Sequence, residues 1–422
     1  MASPRSATTP AAIRSTSWIR ALCWSSVMLE GFDIVALSAA LPTILETKYA
    51  GIGPAEATFV TTISLVGIMI GSIAVGPVAD RLGRRLALMG SIALFSVFTL
   101  FVPLAPNAAV FGLLRLVAGI GLGACLPAAL TMMSEITAPE RRARAATLTM
   151  TGYHIGAVLT SLLAIVVAPS WQILFVVGGL VGLLVLPVMW VKLPETNPVL
   201  IAETPAPKVP VSDVLKKPFA LVSIATWVAS FMGLLLVYGL NSWLPTIMKA
   251  AGYALGTSLT MLLLLNLGGV VGLVVAGMVG DARGIRVSAI IWFGGATVLL
   301  GLLSIRMPTL ILNAAVFLTG LFVFSAQVLI YAYITRVYPP QIRGTALGLA
   351  AGIGRIGSIV GPAVTGALVT AGLGYPWGFY FFCVVALLAV VAMVVVPRGM
   401  EQRSDDGTDL PAAQPSSARL SP

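Results

Sequence analysis

The sequence predicts an all-α polytopic membrane protein with twelve transmembrane helices in two pseudo-symmetric bundles of six. Three observations carry this prediction: an apolar composition, a series of apolar runs of membrane-spanning length, and an internal repeat. Of the 422 residues, 58% are hydrophobic and only 9% are charged, and the mean hydropathy is +1.00. Soluble domains carry roughly 25% charged residues. A chain this apolar therefore needs a bilayer as its solvent.

The apolar runs divide the chain into two groups of six spans. A transmembrane helix needs about 20 consecutive apolar residues, and runs of this kind are expected near 18–44, 57–79, 86–104, 108–134, 145–168, 171–192, 218–248, 257–280, 285–305, 308–335, 343–370 and 375–397. The predicted organisation is a polar N-terminal tail (1–17), a six-helix bundle (18–192), a linker (193–217), a second bundle (218–397) and a disordered tail (398–422).

Basic residues are unevenly distributed between the predicted loops, which indicates the orientation. The loops on the side of the termini hold most of the arginines, whereas the opposite loops hold only Lys48, Lys249 and Arg306. Because lysine and arginine mark cytoplasmic loops, both termini are predicted to lie in the cytoplasm, in a bacterial inner membrane. The net charge of +10 then reflects membrane topology, and no nucleic-acid partner is expected.

The two groups of spans are copies of each other. The pattern Gly76-x-x-x-Asp80-x-x-Gly83-x-Arg85 recurs with every position shifted by 201, and Leu41-Pro42-Thr43-Ile44 recurs with a shift of 203. One shift preserved across many landmarks indicates a six-plus-six duplication. Duplicated halves around a midplane site are typical of transporters that work by alternating access.

The loop from Gly76 to Arg85 combines an acid at a helix end, a glycine for a tight turn and arginines able to pair with acids. Its place between the second and third spans, its second copy, and Arg115-x-x-x-Gly119 in the fourth span resemble the signature of the major facilitator superfamily. The resemblance covers essentially all of residues 18–397 and implies the major facilitator fold.

In that superfamily, the loop acid and arginines hold the cytoplasmic face closed. Carried over, this implies that Asp80 contacts the start of the eleventh span near Gly344, where exposed backbone N–H groups favour an anion. The second copy has Ile285 at an arginine position, so its latch is expected to be weaker. The implied gating residues are Asp80, Arg84, Glu135, Arg142 and, in the second copy, Asp281.

Further motifs narrow the resemblance. Glu30-Gly31-Phe32-Asp33 followed by Leu41-Pro42, the stretch from Arg115 to Pro127, and Gln341-Ile342-Arg343 resemble the aromatic acid:proton symporters, which include transporters for benzoate, 4-hydroxybenzoate and 3-hydroxyphenylpropionate. This implies a transporter that takes up a small aromatic carboxylate together with protons, with no bound cofactor. Many members have an aspartate at the position of Glu30.

Charged residues inside the predicted spans are expensive in hydrocarbon, so each requires a function or a partner. Glu30 and Asp33 are three residues apart and share one helix face. Two neighbouring buried carboxylates disfavour the doubly charged state, which suits proton coupling. The alternative is a static ion pair with Arg115 or Arg20. Coupling is favoured here, and Asp33, which lies deeper in the span, is favoured over Glu30.

The remaining intramembrane ionisable residues are candidates for substrate binding. Arg355 lies mid-span between glycines and is predicted to bind the substrate carboxylate with its guanidinium fork. His154 maps onto Arg355 through the shift of 201. Arg115 lies near the outer end of its span and can pair with Asp33 or assist proton release. For Arg115 and Arg355 alike, the alternative is a fixed ion pair. Polar aromatic and amide side chains suit a hydroxylated ring; the best candidates are Tyr238, Gln327 and Tyr331.

Several alternatives stay open at this level. They are a symporter for another organic acid, a proton-driven drug exporter of the same superfamily, and a transporter-like sensor. The fifth span, Thr147 to Ala168, lacks the glycine-proline element of drug antiporters. No phosphate-binding Gly-x-x-x-x-Gly-Lys motif is present, so ATP-driven transport is not expected. No catalytic triad or metal spacing occurs, so neither an enzyme nor a metalloprotein is predicted. The protein is expected to act as a monomer.

Overall fold

The computed structural model describes residues 10–138, 141–196, 214–397 and 400. Within this part of the chain, twelve helices are long and apolar enough to cross a membrane, which confirms the predicted fold class. Their bounds are α1 Pro10–Thr47, α2 Pro54–Leu82, α3 Arg84–Phe101, α4 Ala108–Glu135, α5 Arg142–Val167, α6 Gln172–Lys192, α7 Ala220–Ala250, α8 Leu255–Arg283, α9 Ile285–Leu303, α10 Thr309–Val337, α11 Pro340–Thr370 and α12 Trp377–Val395.

Helix ends differ from the predicted spans where polar turns continue an apolar helix. The first described residue, Pro10, already lies in α1, so this helix extends beyond the predicted span that starts near residue 18. α2 runs on to Leu82 and stops at Gly83, whose φ is +94°, and α8 stops in the same way at Gly284, whose φ is +83°. A backbone in this region favours glycine. Most of the linker 193–217 and the tail 398–422 lies outside the described residues, so their organisation stays a prediction.

The internal repeat is present in the packing as well as in the sequence. In the first half, a Cβ at Gly67 of α2 would collide with the backbone carbonyl of Leu116 in α4. In the second half, Gly268 of α8 meets the carbonyl of Phe317 in α10 in the same way, and both residues are shifted by 201. Glycine therefore allows the two helices of each pair to touch through their backbones. The same relation holds for Gly71 with Ile120 and Gly272 with Leu321, and for Gly119 with Ser64 and Gly320 with Leu265.

A second pair of helices in each half follows the same rule. Gly156 of α5 packs against the carbonyl of Met28 in α1, and Gly357 of α11 packs against the carbonyl of Phe231 in α7. The shift is 201 for α5 to α11 and 203 for α1 to α7. Each half thus contains helix pairs held at backbone contact, and the helices that carry the predicted site belong to these pairs: α1, α4, α5, α7, α10 and α11.

The two halves meet most closely at the face opposite to the chain termini. There, Glu46 at the end of α1 pairs with Lys249 at the end of α7, and the hydroxyls of Thr58 in α2 and Thr370 in α11 lie 3.4 Å apart. On the terminal face, by contrast, Gly344, Gly348 and Gly352 of α11 border open space. The halves are thus in direct contact at the opposite face, whereas in the described part of the chain a Cβ at these three glycines would meet no neighbour.

Candidate functional site

Asp33 and Arg115 form a buried ion pair between α1 and α4. The Nη1 of Arg115 donates to Oδ2 of Asp33 at 2.7 Å, and both side chains are only 1% exposed. The hydroxyl of Thr99 in α3 donates to the other carboxylate oxygen at 2.8 Å, and Nη2 of Arg115 donates to Ser64 in α2 at 3.2 Å. Of the two predicted partners of Asp33, Arg115 is the one that the structure brings to it. Both oxygens of Asp33 are thus occupied within one half.

Arg355 lies in the middle of α11 and faces the other half. Its Nη1 donates to the hydroxyl of Tyr238 in α7 at 2.9 Å. Within the described residues, no carboxylate lies within ion-pair distance of its guanidinium. Its side chain is partly accessible although it stands far from both helix ends, and it lies within electrostatic reach of Glu30 on α1 and Tyr331 on α10. Close packing of Gly354 and Gly357 against α7 brings Arg355 next to Tyr238.

Glu30 lies across from Arg355, on α1. The side chain is 1% exposed, and its Oε2 has no hydrogen-bond partner among the described residues. It lies within electrostatic reach of Arg355 and of Tyr153, beside the backbone of Leu126 in α4. The two acids predicted as one pair therefore have different surroundings: Asp33 is bonded within the first half, and Glu30 faces a cation of the second half.

His154 and its neighbour Tyr153 connect α5 to the second half. The imidazole of His154 packs edge-on against Phe324 of α10, with 5.6 Å between ring centroids, and its Nδ1 has no partner in the described part of the chain. The hydroxyl of Tyr153 lies beside Asn241 of α7 and within reach of Glu30. Both side chains are partly accessible, and Tyr153 lies within electrostatic reach of Arg355.

Gln327 and Tyr331 of α10 complete the wall opposite to α5. Gln327 donates through Nε2 to Ser230 at 3.0 Å, and Ser230 donates to the carbonyl of Ala350 in α11 at 2.8 Å. The Oε1 of Gln327 has no partner within the described residues. Tyr331 lies beside Gln327 and within electrostatic reach of Arg355. All three uncharged candidates, Tyr238, Gln327 and Tyr331, thus lie around Arg355. We refer to these four residues as the Arg355 cluster.

The sequence interpretation missed Tyr153 as a site residue, and it missed Thr99 and Ser64 as partners of the Asp33–Arg115 pair. Tyr153 had one available signal, because it precedes the single histidine on the same helix. Thr99 and Ser64 had none, since hydroxyl residues are common in membrane helices and bond to their own backbone.

The loop between α2 and α3 carries a separate charge network. Arg84 donates to Asp80 at 2.6 Å and to Glu135 at the end of α4 at 3.1 Å. Thr196, beyond α6, donates to the other oxygen of Glu135 at 2.6 Å. The carboxylate of Glu195 accepts from the backbone N–H of Arg84 at 2.7 Å, which suits the positive end of α3. This network joins α2, α3, α4 and α6 within one half, at the helix ends that lie on the side of the chain termini.

The remaining two predicted gating residues are Arg142 and Asp281. Arg142 begins α5, but its side chain lies outside the described part of the structure. Asp281 lies exposed near the end of α8, at the position equivalent to Asp80. Among the described residues, no three His, Cys, Asp or Glu side chains converge in a way that could hold a metal ion.

Comparison with known proteins identifies the family. The profile of the Major Facilitator Superfamily matches residues 23–324 and 267–419. A gentisate transporter of Corynebacterium glutamicum is 34% identical over 384 residues, which cover 89% of this chain and 86% of that protein. The chain belongs to the Major Facilitator Superfamily. The 3-(3-hydroxy-phenyl)propionate transporter of Escherichia coli is 31% identical and covers 84% of this chain and 87% of its own.

Further relatives confirm the predicted resemblance to the aromatic acid transporters of this superfamily. A benzoate transport protein of Acinetobacter baylyi is 28% identical, over 88% of this chain and 87% of that protein. Among solved structures, the inward open conformation of the xylose transporter XylE from E. coli superposes with a TM-score of 0.74 at 16% identity, over 90% of this chain and 96% of that one. At this identity the likeness supports the fold alone. The protein is a membrane transporter and not an enzyme.

Proposed function

We propose that the protein is a proton-coupled symporter that imports a small aromatic carboxylate by alternating access. The observation that carries this proposal is the state of Arg355: this permanent cation has a tyrosine as its hydrogen-bond partner and, among the described residues, no carboxylate in ion-pair contact. We place it in a cavity between the two halves. Arginine does not lose its proton under these conditions, and its planar fork can bind a carboxylate through two parallel hydrogen bonds. The substrate anion supplies the missing partner.

The surroundings of Arg355 fit the remainder of an aromatic acid. Tyr238 and Tyr331 offer ring surfaces and hydroxyls beside the guanidinium, and the unpartnered oxygen of Gln327 can accept a hydrogen bond from a ring hydroxyl. His154 lies across the cavity on α5. These four residues and Arg355 come from helices of both halves, so a bound substrate would contact both. The names of the relatives, which transport gentisate, benzoate and hydroxyphenylpropionate, support this substrate class.

Proton coupling is proposed for the acids of α1. Glu30 and Asp33 are both buried, and each lies close to an arginine: Glu30 to Arg355, the proposed substrate anchor, and Asp33 to Arg115. A carboxyl group that exchanges protons next to a substrate cation links proton movement to substrate movement. Import follows if the proton gradient is directed inwards and both termini lie in the cytoplasm, as the distribution of basic loop residues indicates.

The charge network of Asp80, Arg84 and Glu135 is proposed to act as a gate on the cytoplasmic side, together with Arg142 and, more weakly, Asp281. These residues lie at the membrane edge, away from the Arg355 cluster. They would bias the equilibrium between conformations without touching the substrate. One copy of the chain contains both halves and the cavity between them, so we propose that it functions as a monomer.

Uptake by proteoliposomes tests the proposed function. The purified protein is reconstituted, a pH gradient (acid outside) is imposed, and uptake of labelled gentisate, benzoate, 4-hydroxybenzoate and 3-(3-hydroxyphenyl)propionate is measured. Nicotinate serves as the non-benzenoid acid, because one relative is a niacin transporter. We expect accumulation of at least one benzenoid acid above its external concentration.

Two controls separate the alternatives. Collapse of the pH gradient with a protonophore should abolish accumulation but leave counterflow of labelled substrate, since exchange needs no net driving force. Accumulation that survives the protonophore would contradict proton coupling. Failure of every aromatic acid in the counterflow assay would contradict the proposed substrate class.

A further inference from the structure

The two buried acids of α1, Glu30 and Asp33, differ in how their charge is compensated. Asp33 receives one hydrogen bond on each carboxylate oxygen, from Arg115 at 2.7 Å and from Thr99 at 2.8 Å. Its compensation is complete and comes from the first half only. Removing one member of such a buried pair leaves an uncompensated charge and is strongly destabilising. These are the properties of a static brace between α1, α3 and α4.

Glu30 has the opposite properties. It is equally buried, but its Oε2 lacks a hydrogen-bond partner among the described residues, and the cation in its reach, Arg355, belongs to the second half. The compensation of Glu30 therefore depends on two things that change during transport: the relative position of the halves and the occupancy of Arg355.

Resting on the proposed function, we propose that Glu30, and not Asp33, carries the proton that is linked to substrate binding. The linkage runs through Arg355. Without substrate, Arg355 compensates an ionised Glu30 across the cavity. When the substrate carboxylate occupies the guanidinium, two carboxylates share one cation, and Glu30 takes up a proton from the aqueous phase. When the substrate leaves, Glu30 releases that proton and again faces Arg355.

The groups that face Glu30 from the neighbouring helices are consistent with this assignment. Arg355 approaches from α11, Tyr153 from α5 and Cys125 from α4, and Tyr238 of α7 reaches the same cluster through its hydrogen bond to Arg355. On α1 itself, Asp33 is engaged by Arg115. Arg355 is the one cation in this set that is not already paired with an acid among the described residues.

The length of the side chain gives this assignment a physical reason. Glu30 has one methylene more than aspartate, and the packing of Gly31 against the carbonyl of Tyr153 fixes α1 directly against α5. At this contact α1 cannot move closer to α5, because the backbone of α5 already blocks it. A glutamate at this position reaches towards Arg355 where an aspartate would end nearer to its own helix.

Proton uptake on ligand binding tests the proposal on the full-length protein in detergent. The probe is whichever of gentisate and 4-hydroxybenzoate binds the wild type, titrated in weakly buffered solution with a pH indicator, together with the dissociation constant between about pH 6 and pH 8. If one proton is taken up on binding, the affinity falls by up to about tenfold for each unit by which the pH rises. For the wild type we expect about one proton taken up per ligand. For Glu30→Gln we expect no uptake and a dissociation constant that changes less than about twofold across this range.

Two further variants make the division between the acids testable. Glu46→Gln removes an acid of the same helix that lies away from Arg355. This variant should still take up a proton when the ligand binds. Asp33→Asn should lower thermal stability, because Arg115 loses its partner. The double variant Asp33→Asn/Arg115→Gln removes both charges, and it should regain stability and take up a proton for each ligand bound. If Glu30→Gln fails to fold, Glu30→Ala replaces it.

The outcomes separate this inference from the proposed function. Proton uptake that persists in the Glu30 variant, or that disappears in the folded double variant, overturns the assignment while the wild type still binds and couples. Absence of binding by the wild type to every aromatic acid would instead defeat the proposed function.

Discussion

Glu46 and Lys249 form an ion pair between α1 and α7, and the two residues occupy equivalent positions of the two halves. The shift that maps α1 onto α7 is 203, which carries residue 46 onto residue 249. Duplication has thus placed opposite charges at one site of the repeat, where the halves meet. The contact lies at the face opposite to the chain termini, where Thr58 and Thr370 also meet.

This pair is predicted to favour the closed state of that face by a small amount. The side chain of Lys249 is 27% exposed and that of Glu46 is 63% exposed. Exposed ion pairs contribute about 0.2–1 kcal/mol. Glu46→Gln or Lys249→Met should therefore increase the open population by a factor of about five at most. The measurement is the rate at which a membrane-impermeant maleimide labels a cysteine introduced at Thr370. The charge-exchanged variant Glu46→Lys/Lys249→Glu should restore the original rate, and equal rates in all variants would contradict a gating contact.

Arg355 is predicted to anchor the substrate carboxylate. Arg355→Ala should weaken binding by about 2–5 kcal/mol, by analogy with truncation of one member of a buried charge pair. Arg355→Lys should recover only part of this loss, because an ammonium lacks the planar fork. The measurement compares the acid with its uncharged amide on each protein. If Arg355→Ala still prefers the acid as strongly as the wild type does, the carboxylate binds elsewhere, with Arg115 or His154 as the next candidates.

Asp80 is predicted to affect the transport rate and not substrate binding. Its carboxylate pairs with Arg84 at the membrane edge, away from the Arg355 cluster. Asp80→Asn should lower the rate of uptake by proteoliposomes and leave the dissociation constant nearly unchanged. Asp281→Asn is the matched control in the second half, where Ile285 replaces the arginine, and it should have a smaller effect. Loss of binding by a well-folded Asp80→Asn protein would contradict the gating role.

Gly67 is predicted to be intolerant of any side chain. Gly67→Ala places a methyl group against the carbonyl of Leu116 and should lower the free energy of unfolding by about 1–3 kcal/mol, the usual cost of overpacking. The control is Gly277→Ala, since open space surrounds that residue. Alanine is the better helix former, so this control should be neutral or slightly stabilising. Thermal unfolding in detergent compares the two, and an equal midpoint for both variants would show that α2 and α4 can separate without loss.

The fold could be predicted from the sequence because each span carries its own signal. An apolar run of sufficient length identifies a helix without knowledge of its neighbours, and the shift of 201 relates the halves through residues such as Gly83 and Gly284. The charged residues inside the membrane could also be identified from the sequence, since Glu30, Asp33 and Arg355 stand out in an apolar background.

The contacts that each of these charged residues makes could not be predicted from the sequence. Which arginine meets which acid depends on the rotation of α1 about its axis and on its distance from α4 and α11. Glu30 and Asp33 share a helix face in sequence, yet one is bonded within the first half and the other faces the second. The greater depth of Asp33 favoured it as the proton carrier, whereas its occupied oxygens favour a static role.

The backbone contacts made by the glycines have a mechanical consequence. Two helices that touch through main-chain atoms cannot slide past each other without breaking steric limits, so α2 with α4 and α8 with α10 each move as one unit. Motion is then confined to the surfaces where the halves meet through side chains, which include α1 with α7, α2 with α11 and α5 with α10. Distances between two spectroscopic labels within one half should stay constant during a transport cycle. Distances between labels on opposite halves should change, with opposite sign at the two faces of the membrane.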